Sequence, residues 1–336
     1  MTATARVLLE RLADGEFHSG ERLAADLGIS RAAVWKAVQG LQDRRRVEIH
    51  SVRGRGYRLA RPLELLNPAV IEAHLPPERR ARLEALEILD SVDSTNAYLA
   101  AGVRGRGRAP RVCVAEQQTG GRGRRGRPWV SPFGANIYLS IYWHFEKSLA
   151  GLQGLSLVTG VAVARAIERL GIEGITLKWP NDIHVRERKL AGVLVEGFGQ
   201  AEGPTAAVVG VGVNLDMPPD HGRAIDQPWI DLRALRPTAE KPRNPLCAYL
   251  VDELMVALEG FARHGASVYL QEWRRYDGYL GRVVNLVAPG RRLSGIYRGV
   301  DDTGGLLLET TAGVRTFHAG EVSLRAGDSP VEGLHG

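Results

Sequence analysis

The 336-residue chain is poor in cysteine, methionine and aromatic side chains, with 2 Cys, 3 Met and 6% Phe, Trp and Tyr. Two cysteines, Cys113 and Cys247, cannot form the disulfide framework of a small secreted domain, so a reducing cytoplasm is the expected location. Long apolar runs are also missing. The longest weakly polar stretch, residues 154–167, contains Ser, Thr and Arg and is shorter than the roughly 20 residues that cross a bilayer. We therefore expect no membrane association and no signal peptide.

Acidic residues are fewer than basic ones, and the difference is concentrated at the N-terminus. The net charge is +6, and residues 1–62 contain 12 Lys plus Arg against 7 Asp plus Glu, so +5 of the total lies there. A small basic module of this kind is typical of nucleic-acid binding.

The pattern within this module predicts a helix-turn-helix. Residues 21–27 form the first helix, Gly28 provides the turn and Ser30 caps a second helix. Apolar residues recur in the second helix with helical spacing, at Val34, Ala37, Val38 and Leu41. This leaves four residues on or near its other face to contact DNA: Arg31, Trp35, Lys36 and Gln39. Arg31, Trp35 and Gln39 are the candidates for contacts with base edges.

A basic, glycine-rich segment follows the second helix. After Arg44, Arg45 and Arg46 comes a short apolar strand, and residues 52–59 then resemble a hairpin that carries Arg53 and Arg55. Such a wing would contact DNA phosphates, and Arg53, Arg55 and Arg44 to Arg46 would add affinity that depends on salt but not on sequence. The alternative is a plain helical hairpin with a charged face.

The most informative segment is residues 121–127, where four arginines alternate with three glycines. Glycine allows close approach of the backbone to a ligand, and arginine donates to phosphate or carboxylate oxygens. Patterns typical of strands flank the segment on both sides. We interpret it as a mobile cationic loop that binds an anion, with a solvated charge run or a nucleic-acid patch as the alternatives.

Further motifs accompany this loop: Asp93-Ser94-Thr95-Asn96, Lys178-Trp179-Pro180-Asn181-Asp182 and Arg188-Lys189-Leu190-Ala191-Gly192. In this order and spacing, the motifs resemble those of the biotin-protein ligases. Together with the N-terminal module, the chain is similar to the bifunctional bacterial kind, in which ligase and biotin-operon repressor share one polypeptide.

This resemblance implies a multidomain α+β fold with three parts. Residues 1–63 would form a winged helix-turn-helix, and residues 64–275 a mixed α/β catalytic domain related to the class II aminoacyl-tRNA synthetases. Short strands after about residue 276 indicate a small all-β domain, which the resemblance makes an SH3-like barrel over 276–336. Pro62 and Asn67-Pro68 predict a linker between the first two parts.

The resemblance also implies roles for single residues. Lys189, Arg122 and Arg124 would act in catalysis by neutralising the biotin carboxylate and the phosphates of ATP. The residues expected to bind biotin or the adenylate are Ser94, Thr95, Asn96, Gln118, Gly121, Arg122, Gly123, Arg124, Trp129, Lys189, Asn214 and Arg325. Asp182 is a candidate ligand for Mg²⁺, although it is equally well interpreted as a turn residue.

The expected reaction forms biotinyl-5′-AMP from biotin and ATP and transfers biotin to a lysine of the biotin carboxyl carrier protein of acetyl-CoA carboxylase. The adenylate would also favour a homodimer and binding to operator DNA. The alternatives are a ligase without an operative repressor role, an adenylate-sensing regulator without ligase activity, and a lipoate ligase.

Overall fold

The computed structural model describes residues 1–103, 107–200, 202–237, 242–288, 291–318 and 323–326. Its α-helices are α1 Ala3–Leu12, α2 Gly20–Leu27, α3 Arg31–Arg45, α4 Pro68–Ala73, α5 Pro77–Arg82, α6 Thr95–Ala100, α7 Leu155–Glu168, α8 Pro219–Gly222, α9 Leu232–Leu235, α10 Arg243–His264 and α11 Ser267–Tyr276. Its strands are β1 Ile49–Val52, β2 Gly56–Leu59, β3 Ala85–Leu89, β4 Arg111–Ala115, β5 Ile137–Phe145, β6 Ile175–Lys178, β7 Asp182–Val185, β8 Arg188–Gly199, β9 Thr205–Val213, β10 Val283–Ala288, β11 Arg291–Val300, β12 Leu306–Thr310, β13 Gly313–Phe317 and β14 Ser323–Ala326.

The first three helices and the β1–β2 hairpin form the N-terminal module. Ser19 and Ser30 cap α2 and α3, and Gly28 ends α2 in the left-handed conformation, with φ 62°. The apolar stripe of α3 packs against α1, and Val34, Val38 and Leu41 are buried. The helix-turn-helix is confirmed, and β1 pairs antiparallel with β2 as the wing.

A seven-stranded mixed sheet forms the centre of the molecule, in the order β3-β4-β5-β9-β8-β7-β6. The β3–β4 pair is parallel and the other pairs are antiparallel. Side chains alternate between its two faces: Val112 and Val114 belong to the main core with α7 and α10, whereas Cys113 packs with Leu99 of α6. The strand patterns predicted on either side of residues 121–127 correspond to β4 and β5.

The stretch Leu149–Glu168 has the length and apolar composition of a membrane-crossing helix. Its helical part is α7, which packs between α10 and the strands of the sheet, and most of its side chains are buried. The apolar character of this stretch is therefore that of a core helix.

The predicted linker after the N-terminal module is part of a buried polar cluster. The Glu64 carboxylate accepts hydrogen bonds from the backbone N–H groups of Arg243 and Asn244, at the start of α10. The Leu66 N–H donates to Glu116 at 2.7 Å, and Arg243 forms a buried salt bridge with the same carboxylate. The segment thus joins the end of β4 to α10, and Asn67 then caps α4.

The C-terminal part is an antiparallel sheet in the order β13-β12-β11-β10-β14. It contacts the central domain through the Trp179 indole, which donates to the Gly304 carbonyl at 3.0 Å, and through Arg125, which donates to the Val287 carbonyl at 3.1 Å. The expected small all-β domain is confirmed. The turn at residues 289–290, which the sequence also predicts, lies outside the described residues.

Candidate functional site

A pocket opens on the central sheet where β5, β8 and β9 meet the cationic loop and the β6–β7 turn. Ten residues named from the sequence line it: Ser94, Thr95, Asn96, Gln118, Arg122, Gly123, Arg124, Trp129, Asp182 and Lys189. The other lining residues include Tyr138, Lys178, Trp179, Asn181, Gly192, Val193, Gly210, Gly212 and Leu324. Four separate motifs of the sequence therefore meet at one site.

The cationic loop, residues 121–127, is held at its base by backbone hydrogen bonds. The Trp129 N–H donates to the Gly121 carbonyl at 2.9 Å, and the Gly123 N–H donates to the Arg127 carbonyl at 2.7 Å. A Cβ atom on Gly121 would lie 2.7 Å from the Ser131 hydroxyl, so glycine is required there by the close packing of the loop base. The loop is thus anchored at its base, and its arginines extend from there.

Glu196 of β8 connects this loop to α6. One carboxylate oxygen forms a salt bridge with Arg122 at 3.1 Å, and the other accepts from the Asn96 amide at 2.7 Å. Asn96 in turn accepts from the Ser140 hydroxyl at 2.6 Å. In the sequence, Glu196 appeared only at the end of a predicted strand, and nothing in its spacing indicated this role.

Arg124 lies deeper in the pocket and donates to the Asn181 side-chain oxygen at 3.4 Å. Burial lowers the pKa of the Arg124 guanidinium, and the charge of Asp182 opposes this effect. Asn181 is itself fixed, because its amide donates to the Val193 carbonyl at 2.6 Å. The guanidinium therefore has a defined position beside the β6–β7 turn.

Lys189 and Asp182 form a close ion pair in the same wall, with Nζ 2.6 Å from Oδ1. Burial raises the pKa of the Asp182 carboxyl, but the charge and hydrogen bond of Lys189 outweigh it and hold the pKa below its ordinary value. The ammonium also lies 5.4 Å from the centre of the Trp129 ring. Lys189 is thus a positioned cation, and Asp182 is ionised at neutral pH.

Hydrogen bonds among neutral side chains define another wall. The Gln118 side-chain oxygen accepts from the Thr95 N–H at 2.9 Å, and its amide donates to the Ser131 hydroxyl at 3.2 Å. The Ser140 hydroxyl oxygen also lies 2.7 Å from Thr95 Oγ1. Ser94 caps α6 through its hydroxyl, and it lines the pocket as well. These groups offer donors and acceptors in a buried, ordered arrangement.

Glycines on β8 and β9 make room for two pocket side chains. A Cβ on Gly212 would lie 2.4 Å from the Trp129 ring, and one on Gly210 would lie 2.3 Å from the Asn96 side-chain oxygen. A Cβ on Gly192 would be less crowded, because it would lie more than 3.0 Å from the Lys189 side chain and the Trp129 ring. The Gly-x-Gly alternation in β9 places Gly210 and Gly212 on one face of the sheet, and this signal was available in the sequence.

Three residues expected at the site do not line the pocket, and one of them, Gly121, forms the base of the cationic loop. The Asn214 amide is buried and donates to the carbonyl groups of Lys189 and Ile230, so it supports the start of β8 from behind and does not line the pocket. Arg325 pairs through its backbone with Asn285 in the C-terminal sheet. Its side chain lies outside the described part of the structure, although its neighbour Leu324 reaches the pocket.

A separate basic surface lies on the N-terminal module. Arg31, Trp35 and Lys36 are exposed along α3, and Trp35 is 57% exposed. Gln39 is half-buried and donates to Gln42. On the wing, Arg53 is exposed and Arg55 stacks on the Phe17 ring at 4.0 Å. The helix and the wing therefore present cations and an aromatic side chain to solvent.

Comparison with known proteins gives matches to each part of the chain. A model of the "Biotin/lipoate A/B protein ligase family" matches residues 88–214. Models of an "HTH domain" and of the "Biotin protein ligase C terminal domain" match residues 4–58 and 279–325.

Relatives and a solved structure agree with these matches. The chain is 42% identical to the bifunctional ligase/repressor BirA of Salmonella typhimurium, over 97% of this chain and 99% of that protein. It is 41% identical to the Escherichia coli protein of the same name, with 96% and 97% covered. The structure of a biotin protein ligase from Aquifex aeolicus in complex with biotin and ATP is similar, with a TM-score of 0.61 and 27% identity, over 73% of this chain and all of that one.

Proposed function

This chain belongs to the biotin protein ligases of the bifunctional ligase/repressor type, and we propose that its pocket joins biotin to ATP. The product is biotinyl-5′-AMP, with pyrophosphate as the leaving group. The biotinyl group then passes to a lysine of the biotin carboxyl carrier protein of acetyl-CoA carboxylase. The observation that carries this proposal is the meeting of Arg122, Arg124 and Lys189 around one pocket that also holds a neutral hydrogen-bonding wall.

The first half-reaction needs positioned cations. Biotin's carboxylate attacks the α-phosphorus of ATP, the bond to the bridging oxygen breaks, and the pyrophosphate leaves with additional negative charge. Lys189 and Arg124 come from different strands and loops, and both are held by neighbours, so their charges stabilise the transition state without reorganisation. Arg122 is paired with Glu196 in the free protein and is available at the loop for the arriving anion.

The neutral wall is suited to the ureido ring of biotin. Ser94, Thr95 and Gln118 supply amide and hydroxyl groups close to one another, and Ser131 accepts from the Gln118 amide. The indole N–H of Trp129 is buried and has no hydrogen-bond partner in the described part of the chain, so it remains free to donate to a ligand. The aromatic ring of Trp129 gives the pocket an apolar side beside Lys189.

Mg²⁺ would enter with the phosphates of ATP. Within the described residues, no group of three or more metal-ligating side chains occurs. Asp182 is the carboxylate among the pocket-lining residues, and Lys189 already occupies its Oδ1 atom. This donor set fits an ion that is held mainly by phosphate oxygens and water, with one carboxylate as a further ligand. The ion would neutralise phosphate charge.

The second half-reaction requires no nucleophile from this chain, because the mixed anhydride is already activated. The acceptor lysine attacks the biotinyl carbonyl, an amide bond forms and AMP leaves. Biotinyl-5′-AMP bound in the pocket would be shielded from much of the bulk water, which would limit its hydrolysis before the carrier arrives. Both cysteines are buried and free, which fits the reducing cytoplasm in which ATP and the carrier are present.

The N-terminal module would bind the biotin operator. We propose that Arg31, Trp35, Lys36 and Gln39 contact the major groove and that Arg53 and Arg55 contact phosphates. Biotinyl-5′-AMP would act as corepressor by favouring a homodimer, whose two modules bind two half-sites. The exposure of Arg31, Trp35 and Lys36 supports this assignment.

We propose domain boundaries at residues 63/64 and 275/276, supported by the separate sheets on either side of each boundary. The five antiparallel C-terminal strands fit an SH3-like barrel, and the mixed central sheet fits a relationship to the class II aminoacyl-tRNA synthetases.

Biotin-dependent exchange of pyrophosphate into ATP tests the ligase proposal, with lipoate as the control acid. We expect exchange with biotin alone. Exchange with lipoate alone would indicate a lipoate ligase, and no exchange with either acid would leave a regulator that senses an adenylate.

A salt-dependent gel shift with DNA upstream of biotin synthesis genes, with and without biotin and ATP, tests the repressor role. A gel shift that is the same with and without biotin and ATP would indicate a ligase without a repressor role.

A further inference from the structure

A second cleft lies between the N-terminal module and the ligase domain. One wall is formed by three consecutive arginines at the C-terminal end of α3: Arg44, Arg45 and Arg46. The opposite wall belongs to the ligase domain and includes Gln117, Thr119 and His221. We refer to this space as the interdomain cleft. The arginines were expected from the sequence to contact DNA, but here they line a space closed on its other side by protein.

The interdomain cleft is positively charged and lacks carboxylates. No Asp or Glu is among its lining residues. In the part of the chain that the structure describes, no salt bridge within 4.0 Å involves any of the three arginines. By contrast, Arg6 and Arg61 of the same module are paired with Asp90 and Asp216. Acidic residues line the adjoining space, where Glu48 and Asp220 lie together with Arg45 and Arg46.

The backbone at Arg46 is a further indication that its side chain is needed. Arg46 ends α3 in the left-handed conformation, with φ 53°. Glycine or asparagine is favoured at such a position, and Gly28 fills the equivalent place at the end of α2. An arginine adopts this conformation at a cost in free energy, which a ligand for its guanidinium would offset.

Neighbouring groups complete a site for an anion. Arg45 donates to the Gln117 side-chain oxygen at 3.5 Å, which places its guanidinium against the ligase domain. Burial and the charges of Arg46 and Arg61 lower the pKa of His221, so its imidazole is neutral and offers a hydrogen bond without adding charge. Several guanidinium groups around a small space match the oxygens of a phosphate group.

The position of the cleft favours a small anion over the DNA backbone. A helix rises 1.5 Å per residue, so Arg45 lies about 21 Å along α3 from Arg31, which marks the DNA-facing end. The opposite wall is the ligase domain, where Gln118 lines both this cleft and the catalytic pocket. We propose that the interdomain cleft binds a small phosphate-bearing anion, which links the C-terminal end of α3 to the segment that carries Gln118 into the pocket.

Equilibrium dialysis of the full chain with radiolabelled inorganic phosphate, without biotin, ATP or Mg²⁺, tests this proposal. We expect binding to the parent protein to weaken at least tenfold in Arg45→Gln/Arg46→Gly, where glycine suits the left-handed position. Thr119→Glu, which places a carboxylate on the opposite wall, should weaken it similarly without changing α3. Arg53→Gln/Arg55→Gln removes the same charge from the wing and should bind phosphate within twofold of the parent.

Three results would overturn the proposal. Equal binding by all four proteins would mean that phosphate has no site in the cleft. Loss of binding in Arg124→Gln, with binding kept in Arg45→Gln/Arg46→Gly, would place the phosphate in the catalytic pocket. Displacement of phosphate by an excess of duplex DNA would identify the DNA backbone as the occupant, whereas retention of phosphate in the presence of DNA supports a small anion.

Discussion

The ammonium of Lys189 lies 2.6 Å from Oδ1 of Asp182, so the pocket contains a cation whose charge is already balanced before any substrate arrives. The carboxylate holds the ammonium in one orientation, in a wall where both side chains are largely buried. An arriving phosphate would add negative charge beside this pair. The pair therefore positions Lys189 and also limits how strongly it binds anions in the ground state.

Replacing Lys189 by alanine should reduce biotin-dependent ATP–pyrophosphate exchange by about a hundredfold or more, because one positioned charge near the reacting phosphate is lost. Arg188→Ala is the matched control, since Arg188 is the adjacent cation in β8 and is exposed. Its exchange rate should stay within about twofold. A loss of less than tenfold in Lys189→Ala would show that the ammonium does not act on the reacting groups.

Glu196→Gln should loosen the cationic loop in the free protein. The neutral side chain can still accept from Asn96, but the ion pair with Arg122 is lost. A partly exposed ion pair contributes roughly 0.5–1 kcal/mol, so trypsin should cut the loop about two to five times faster. Glu202→Gln, in the exposed β8–β9 turn, is the control and should be cut at the parent rate. An unchanged rate in Glu196→Gln would mean that this pair does not restrain the loop.

Gly212→Ala should displace the Trp129 ring, because the new Cβ would lie 2.4 Å from it. We expect a loss of about 1–3 kcal/mol in the free energy of unfolding, measured with urea, and a raised KM for biotin. Gly40→Ala is the counterpart in α3, where no atom lies within 4 Å of the added methyl group. It should stabilise the protein by about 0.5–1 kcal/mol. A Gly212→Ala protein of parent stability would contradict the packing described here.

His184 should make the protein less stable as the pH falls below neutrality. Burial lowers its pKa to about 4 from an ordinary value of 6.5. Between these values the unfolded chain binds a proton that the folded chain does not, so stability is present above pH 6.5 and decreases as the pH approaches 4. The full effect is about 3 kcal/mol. His184→Phe should flatten this part of the profile of unfolding free energy against pH, whereas His74→Gln, at an exposed position, should reproduce the parent curve. Parallel curves for parent and His184→Phe would refute the assignment.

Local signals explain which parts of the fold could be predicted. The cap at Ser30, the turn at Gly28 and the apolar stripe of α3 are all encoded within a few residues, and each was predicted. The strands around the pocket follow from their apolar periodicity. The motifs that carry the family resemblance also led to most of the residues that line the pocket.

Interactions between distant segments explain what could not be predicted. Glu196 meets Arg122 and Asn96 from positions 74 and 100 residues away. The salt bridge between Glu116 and Arg243 crosses 127 residues. Neither pairing has a local pattern, because each depends on how the strands are ordered in the sheet. The same holds for the arginines at 44–46. Their charge was evident from the sequence, but the surface of the ligase domain that lies opposite them was not.

The buried cluster around Glu64 has a consequence for the modular history of such a chain. The Glu64 carboxylate accepts hydrogen bonds at the start of α10, and the Leu66 N–H donates to the Glu116 carboxylate. Residues 64–66 are therefore needed by the ligase domain even if the N-terminal module is absent. Loss or exchange of the module during evolution is therefore tolerable only with a junction before residue 64. A junction a few residues later would leave the ends of β4 and α10 with unsatisfied groups in the protein interior.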